Sequence, residues 1–408
     1  MDTSSQANSA SREQMTRRST IQLAERERER LIAFYQQLVR IPSIWGHARP
    51  LREAAELIGS TLASVGYVVE LTDSGTDGHL MVVARLQGRG RGPSLIFNGH
   101  MEVYPPSDSW SVDPFGGMIR GGRLYAQGAA DMKGGTAAMT MAAWLLAKHA
   151  APLVGDVILL AIPNHFEGGE GTRKALREGL KAQFAINCEP TDLEVVTGQR
   201  GILYLTIAVR GRAAHTTALD VGVNAIERAA KVIDALTSME PKTADGKPLG
   251  EPKILNTAMI HGGVAHNLIP ELCTITVDIR FSPEQTAESV LRDVRGAIET
   301  VFPNDQFGIT VEPEETCVRN PRNAFRVPND HPLVRTLTSA HETVTGQQAR
   351  LGFHPAWPDT PIFNEMGIPA VTYGPGSMKC YWDDEFVEIE EYLTAIRTYC
   401  VAAQSLLN

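Results

Sequence analysis

The chain has 408 residues, 43% of them hydrophobic and 21% charged, and a formal net charge of −9. That length supports two or three domains with substantial cores, and the composition is that of a globular protein rather than a fibrous or disordered one. The negative balance argues against nucleic acid or an anionic membrane surface as partner, and no apolar run reaches membrane-spanning length.

Residues 1–28 read as a polar tail of interspersed Ser, Arg and Glu without the apolar core of a secretory signal. Cys188, Cys273, Cys317, Cys380 and Cys400 are odd in number and include no CxxC pair, which points to reduced thiols and a cytoplasmic home. Residues 31–65 predict two amphipathic helices flanking Val39-Arg-Ile-Pro-Ser43, followed by strands at 67–72, 79–87 and 94–98. An Ala/Met-rich helix over 136–147 precedes an apolar strand at 157–162 and another at 184–187. Alternating strands and helices imply an α/β fold, a doubly wound and mostly parallel sheet covered on both faces. Near Gly198 the character changes: 204–209, 257–261 and 273–281 are strand-like, with helices at 224–238 and 284–301. This suits a small α+β insertion over 200–317. The first domain, 29–199 plus 318–408, then resumes with a final core strand within 367–376 and a helix over 388–406.

The chemistry concentrates in residues 97–135. The apolar run Ser94-Leu95-Ile96-Phe97 delivers Asn98-Gly99-His100-Met101-Glu102 at a strand's end, a position that faces the ligand crevice in an α/β sheet. His100 and Glu102 are two apart and point the same way in extended backbone. A second acidic position, Asp131, lies in Gly128-Ala-Ala-Asp131-Met-Lys-Gly-Gly135 at the start of the Ala/Met-rich helix. An imidazole and a carboxylate brought together from two loop ends suit a divalent metal. A lone histidine at a strand end is ordinarily just a hydrogen-bonded polar residue, and His-x-Glu alone would not change that.

The whole stretch does. It closely resembles metallopeptidase family M20, the aminoacylase, acetylornithine deacetylase and glutamate carboxypeptidase group, whose signature runs G-H-x-D-V-V-P, then W, P-F and G-R-G-x-x-D-M-K-G-G. The resemblance implies that the insertion is a lid or dimerisation domain. It also implies two metal ions bridged by the motif aspartate, with a general base from a Glu-Glu pair. Position by position, His100 and Asp131 match ligands, Glu189 in Cys-Glu-Pro-Thr matches a later glutamate ligand, and Glu102 takes the place of the carboxylate that orients the histidine ring. His215 in Gly211-Arg-Ala-Ala-His215 matches the histidine that enters the partner subunit's site, and Asn267 and Arg280 match residues that hold the substrate carboxylate. The family's Glu-Glu-x-Gly-Gly motif aligns so that His165 occupies the general-base position and Phe166 that of the second ion's glutamate. Tyr381 falls where the second ion's histidine should be. Both ligands exclusive to one ion are replaced while those of the other remain, which leads us to expect a single divalent transition metal per subunit (Mn or Zn, with Co or Fe also compatible).

The expected activity is hydrolysis of a C–N bond in a small carboxylate-bearing substrate by metal-activated water. His165 is the expected proton acceptor, with Glu167 and Glu170 as fallbacks. With one ion the substrate must supply part of its own activation, and Phe166 and Tyr381 make the pocket flatter and more apolar. Within the family that profile resembles an aryl-amine hydrolase, and the specific expectation the resemblance implies is hydrolytic deamination of an aromatic amine, 5-nitroanthranilate to 5-nitrosalicylate plus ammonia. The alternative is an N-acyl amino acid deacylase or carboxypeptidase, and a third reading is a non-catalytic binding protein. A homodimer or higher homo-oligomer through the lid domain is also expected.

Overall fold

The computed structural model describes residues 21–76, 78–149, 153–354, 356–378 and 383–408. Helix α1 (Arg28–Val39) buries Leu31, Phe34, Tyr35, Leu38 and Val39, and α2 (Ala48–Ala63) buries Leu51, Ala54, Ala55, Ile58 and Leu62. Both show the spacing of a one-faced helix. Strands β1 (Val68–Asp73), β2 (Leu80–Leu86) and β3 (Leu95–His100) follow. Gly121 and Gly122, both at positive φ, turn a hairpin between β4 (Met118–Arg120) and β5 (Arg123–Tyr125). Next come α3 (Gly134–His149), β6 (Val157–Ile162), α4 (Glu170–Arg177), β7 (Phe184–Asn187) and β8 (Val195–Gln199).

The chain forms two compact units. One runs to Thr197 and resumes at Val327–His354 and Pro358–Asn408; the other is Gly198–Arg326 with a short segment ending at Trp357. The second unit holds β9 (Gly201–Arg210), β10 (Ala214–His215), α5 (Ala225–Ser238), β11 (Ile254–Gly262), β12 (Leu268–Ile269), β13 (Leu272–Phe281), α6 (Ala287–Val301), β14 (Ile309–Pro313), α7 (Glu315–Arg319) and β15 (Phe325–Arg326). Its antiparallel sheet runs β11-β13-β9-β14. Alternate residues of β9 and β13, among them Leu205, Ile207, Cys273 and Ile275, pack with Ala229 and Val232 of α5 and Val290 and Val294 of α6. One buried face per strand is the pattern of a sheet covered on one side.

In the first unit the chain continues through α8 (Pro332–Thr345), β16 (Leu351–His354), α9 (Thr360–Glu365), β17 (Ala370–Thr372), β18 (Phe386–Glu388) and α10 (Ile389–Leu406). Its sheet has the order β1-β2-β6-β3-β7-β17-β8, with β16 pairing β8. The central strands β6, β3, β7 and β17 are mutually parallel, and the β1/β2, β2/β6 and β17/β8 pairs are antiparallel. Strands β3 and β6 are buried along their whole length, as strands covered on both faces must be. The α/β architecture with a mostly parallel central sheet is thus as expected. The final core strand is shorter than expected, because Gly367 at positive φ and Gly374-Pro-Gly376 leave room for only Ala370–Thr372. Among the described residues no helix is long and apolar enough to cross a membrane, and Cys188, Cys273, Cys317 and Cys400 are free thiols.

Candidate active site

The carboxyl ends of the central parallel strands deliver the polar residues. Strand β3 ends in His100, the chain leaving β6 reaches His165 three residues later, and the chain leaving β7 reaches Glu189 two residues later. This edge is where a parallel α/β sheet opens a ligand crevice. The chain leaving β3 is clamped by the segment after α1. Val103 N–H donates to the Ser43 carbonyl, and the Ser43 hydroxyl donates to the Met101 carbonyl at 2.7 Å.

Asp131 lies in the irregular turn Ala129–Lys133 that opens α3. Glu385, to which the sequence assigned no role, gathers that turn: its carboxylate accepts the N–H groups of Gly128, Ala130 and Asp131 at 2.8, 2.6 and 3.0 Å. The Tyr35 hydroxyl donates to the Ala129 carbonyl at 2.9 Å, and buried Lys133 donates to the Ile41 carbonyl. Burial pushes the Glu385 carboxyl up to about 8 and the Lys133 ammonium down to about 7. Gly135 is required here for a different reason. A Cβ on it would lie 1.8 Å from the Cys188 carbonyl oxygen, so only glycine lets α3 start against the segment that carries Glu189.

His100 is 1% exposed and Glu189 4% exposed, so both side chains must find partners within the protein. His100 Nδ1 donates to the backbone carbonyl of Glu102 at 3.0 Å. That bond turns Nε2 toward Asp131 Oδ1 at 3.1 Å and Glu189 Oε1 at 3.4 Å. The ring is therefore oriented by the main chain of Glu102 and not, as expected, by its side chain. The extra methylene carries the Glu102 carboxylate past the ring, where Oε1 accepts the N–H groups of His165 and Phe166. His165 stacks on His100 with ring centroids 4.5 Å apart and planes 8° from parallel. Its Nε2 lies 3.7 Å from Glu189 Oε1, and its Nδ1 lies 2.8 Å from Oδ1 of buried Asp359.

The charges in this cluster are unbalanced. Burial disfavours protonation of His100, yet Glu189, Asp131 and Glu102 outweigh it and hold the imidazole well above its ordinary range. Burial raises the Glu189 carboxyl, and the neighbouring Asp131 raises it further. Burial would raise Asp131 too, but His100 beside it keeps it below the usual carboxylate range. Glu189 Oε1 and Glu102 Oε2 are buried without a hydrogen bond. Buried acceptors that lack donors, beside an imidazole nitrogen turned toward them, are the complement of a divalent cation. One ligating atom each from His100, His165 and Glu189 lie within 4.8 Å of one another. The donor set fits a metal ion.

An aromatic wall flanks the cluster. Phe166, aligned with the second ion's glutamate, stacks on Tyr104 at 4.0 Å, meets His100 edge-on at 5.2 Å and takes the edge of Trp45 at 6.4 Å. Glu167 accepts from Trp45 Nε1 at 3.2 Å, and Glu170 is paired with Arg177 at 2.5 Å on α4. Tyr381 lies outside the described residues. In the second unit, Asn267 Nδ2 lies 3.4 Å from His215 Nε2 across the β10–β12 pair, and both residues are exposed. Arg280 donates through Nε and Nη2 to the two carboxylate oxygens of Asp278, both at 2.9 Å.

Besides Glu385, the sequence left Asp359 without a role. It stands in Trp357-Pro-Asp359-Thr-Pro361, 194 positions from His165, and no local spacing connects the two.

Comparison with known proteins agrees with this geometry. The sequence profile of peptidase family M20/M25/M40 matches residues 96–405. The succinyl-diaminopimelate desuccinylase of Granulibacter bethesdensis is 30% identical over 374 residues, covering 88% of this chain and 94% of its own. The N-formyl-4-amino-5-aminomethyl-2-methylpyrimidine deformylase of Halalkalibacterium halodurans is 27% identical over 403 residues, covering 92% and 93%. Among solved structures, the aminopeptidase PepT of Bacillus cereus superposes with a TM-score of 0.78 at 20% identity, covering 93% of this chain and 99% of its own. A dinuclear metal binding peptidase of the M20 family from Bacillus subtilis gives 0.69 at 18% identity, covering 94% and 99%. The chain belongs to peptidase family M20/M25/M40 and is a hydrolase of C–N bonds, which removes the reading of a non-catalytic binding protein.

Proposed function

We propose that the protein is a metal-dependent N-acyl hydrolase that cleaves an amide of a small carboxylate-bearing substrate. His100, Asp131 and Glu189 would hold one divalent ion. The observation that carries this reading is the buried, donor-poor cluster at the sheet's carboxyl edge in a chain aligned nearly end to end with a deformylase and a desuccinylase. Those relatives are named for removing a formyl or a succinyl group, which favours acyl removal over ring deamination. A divalent ion bound by such residues lowers the pKa of a water molecule and polarises a carbonyl oxygen.

The chain's own residues supply the rest. The main chain of Glu102 fixes the tautomer of His100, so that Nε2 offers its lone pair. Glu385 sets the turn that presents Asp131. The ring of Phe166, in place of a carboxylate, supports a count of one ion rather than two. We assign His215, Asn267 and Arg280 to the substrate's carbonyl and carboxylate, donated between copies of a homo-oligomer as the family resemblance implies. Arg280 would have to exchange Asp278 for the substrate carboxylate. The wall of Trp45, Tyr104 and Phe166 favours a planar or aromatic group beside the scissile bond. The same wall keeps deamination of a 2-aminobenzoate as the second reading.

A substrate panel separates them. N-formyl, N-succinyl and N-acyl amino acid substrates are offered beside 2-aminobenzoates to metal-loaded enzyme, and free acid and ammonia are both measured. Acid release without ammonia is the expected result. Ammonia from a 2-aminobenzoate with no acyl turnover would put the deaminase reading in its place. In the same assay, mixing His100→Ala with His215→Ala chains should restore part of the activity that each lacks alone. No restoration would place His215 in its own chain's site.

A further inference from the structure

The sequence put His165 in the proton-acceptor position, but the geometry points elsewhere. We infer that His165 is a ligand of the metal ion, and that Asp359 is the residue that positions it. The inference rests on the metal centre proposed above and changes its composition, from one imidazole to two.

Three observations carry it. First, the direction of the ring is fixed from behind. Nδ1 donates to Asp359 Oδ1 at 2.8 Å, so the lone pair of the neutral ring lies on Nε2, which is turned to Glu189 Oε1, the acceptor that makes no hydrogen bond. A histidine whose far nitrogen is bound by a carboxylate while the near one faces an acidic cluster has the arrangement of a metal ligand. Second, His165 and His100 approach the cluster side by side, with rings 8° from parallel and 4.5 Å apart. Their nitrogens lie within 4.8 Å of each other and of the Glu189 oxygen, so one ion can touch all three.

Third, Asp359 is itself locked. Its Oδ2 accepts from the Thr172 hydroxyl at 2.5 Å, and Thr172 Oγ1 accepts from Asn98 Nδ2 at 3.3 Å. Asn98 Oδ1 in turn accepts from Asn187 Nδ2 at 2.8 Å. This buried chain runs from β7 across β3 to α4 and ends on His165. Gly169 completes the enclosure: at φ +72 it faces Asp359, and a Cβ there would come within 2.5 Å of Oδ1 and 2.4 Å of Ile362 Cδ1. Glu102 holds the backbone N–H of His165 and Asp359 holds its Nδ1, so the ring presents Nε2 to Glu189.

The experiment counts imidazoles. Cu(II) is loaded in place of the native ion, and the remote ring nitrogens of coordinated histidines are read by electron spin echo envelope modulation. Two imidazoles are expected in the wild-type protein and one in His165→Ala. Asp359→Asn should keep two while weakening the affinity for Mn or Zn, measured by competition with a chelator, roughly 10- to 100-fold. One imidazole in the wild-type protein would overturn the inference and leave the metal centre standing, whereas no binding at all would overturn both. If Asp359→Asn leaves the affinity unchanged, Asp359 has no positioning role. The wild-type count decides the ligand question even where a variant fails to fold.

Discussion

At Gly169 the backbone stands at φ +72 and a methyl group has nowhere to go. Gly169→Ala would press on Asp359 and Ile362 and strain the main chain, at a cost of about 1–3 kcal/mol. We expect a lower denaturation midpoint together with weaker metal binding, since the displaced Asp359 takes His165 with it. Unchanged stability and affinity would show that the enclosure is loose. His100, Asp131 and Glu189 meet in the structure; the places of His100 and Asp131 at a strand end and a helix start made them candidates, and Glu189 was legible only through the resemblance to family M20. Asp359 was not legible, because its role comes from a contact across 194 positions that no periodicity records. Glu102 was half legible: its closeness to His100 follows from alternation along a strand, but which of its oxygens meets the ring does not.

At the scale of elements, helix α8 carries a titratable group into the core of the first unit. His341 is buried, and its Nδ1 lies 2.8 Å from the hydroxyl of Tyr373, which follows β17. Burial lowers its pKa from the ordinary 6.5, so the folded protein keeps it neutral at a pH where the unfolded chain would bind a proton. Its stabilising contribution is therefore complete above about 6.5 and is lost as pH falls below that value. His341→Gln should reduce the fall in melting temperature between pH 7 and pH 5, other groups being common to both proteins. An unaltered pH slope would contradict this. Helix α8 and strand β8 were not read from the sequence, whereas β6 and β7 were, because an unbroken apolar run leaves little choice. The β4–β5 hairpin did have a signal, Gly121-Gly122 between short alternating segments, hidden inside a Pro/Gly-rich stretch that reads as loop.

For the whole molecule, the proposed ligands come from four separate places between His100 and Glu189, all carried by one unit. An ion held by them binds the folded chain and not the unfolded one, so it stabilises that unit by mass action, by about 2.7 kcal/mol at a free concentration one hundred times the dissociation constant. The strands at 204–209 and 273–281 of the second unit were legible because burial alternates along β9 and β13, whereas the order of strands in its sheet was not, since no single strand's alternation records its neighbours.

The most direct test of the account is a metal titration of activity. Chelator-stripped protein is returned to Mn or Zn in steps, and bound ion per chain and rate of N-acyl hydrolysis are measured on the same samples. The account predicts a rate of zero without metal, rising in proportion to occupancy and levelling at one ion per chain, with both signals lost in His100→Ala. A plateau at two ions per chain, or hydrolysis that continues in the stripped protein, would contradict it.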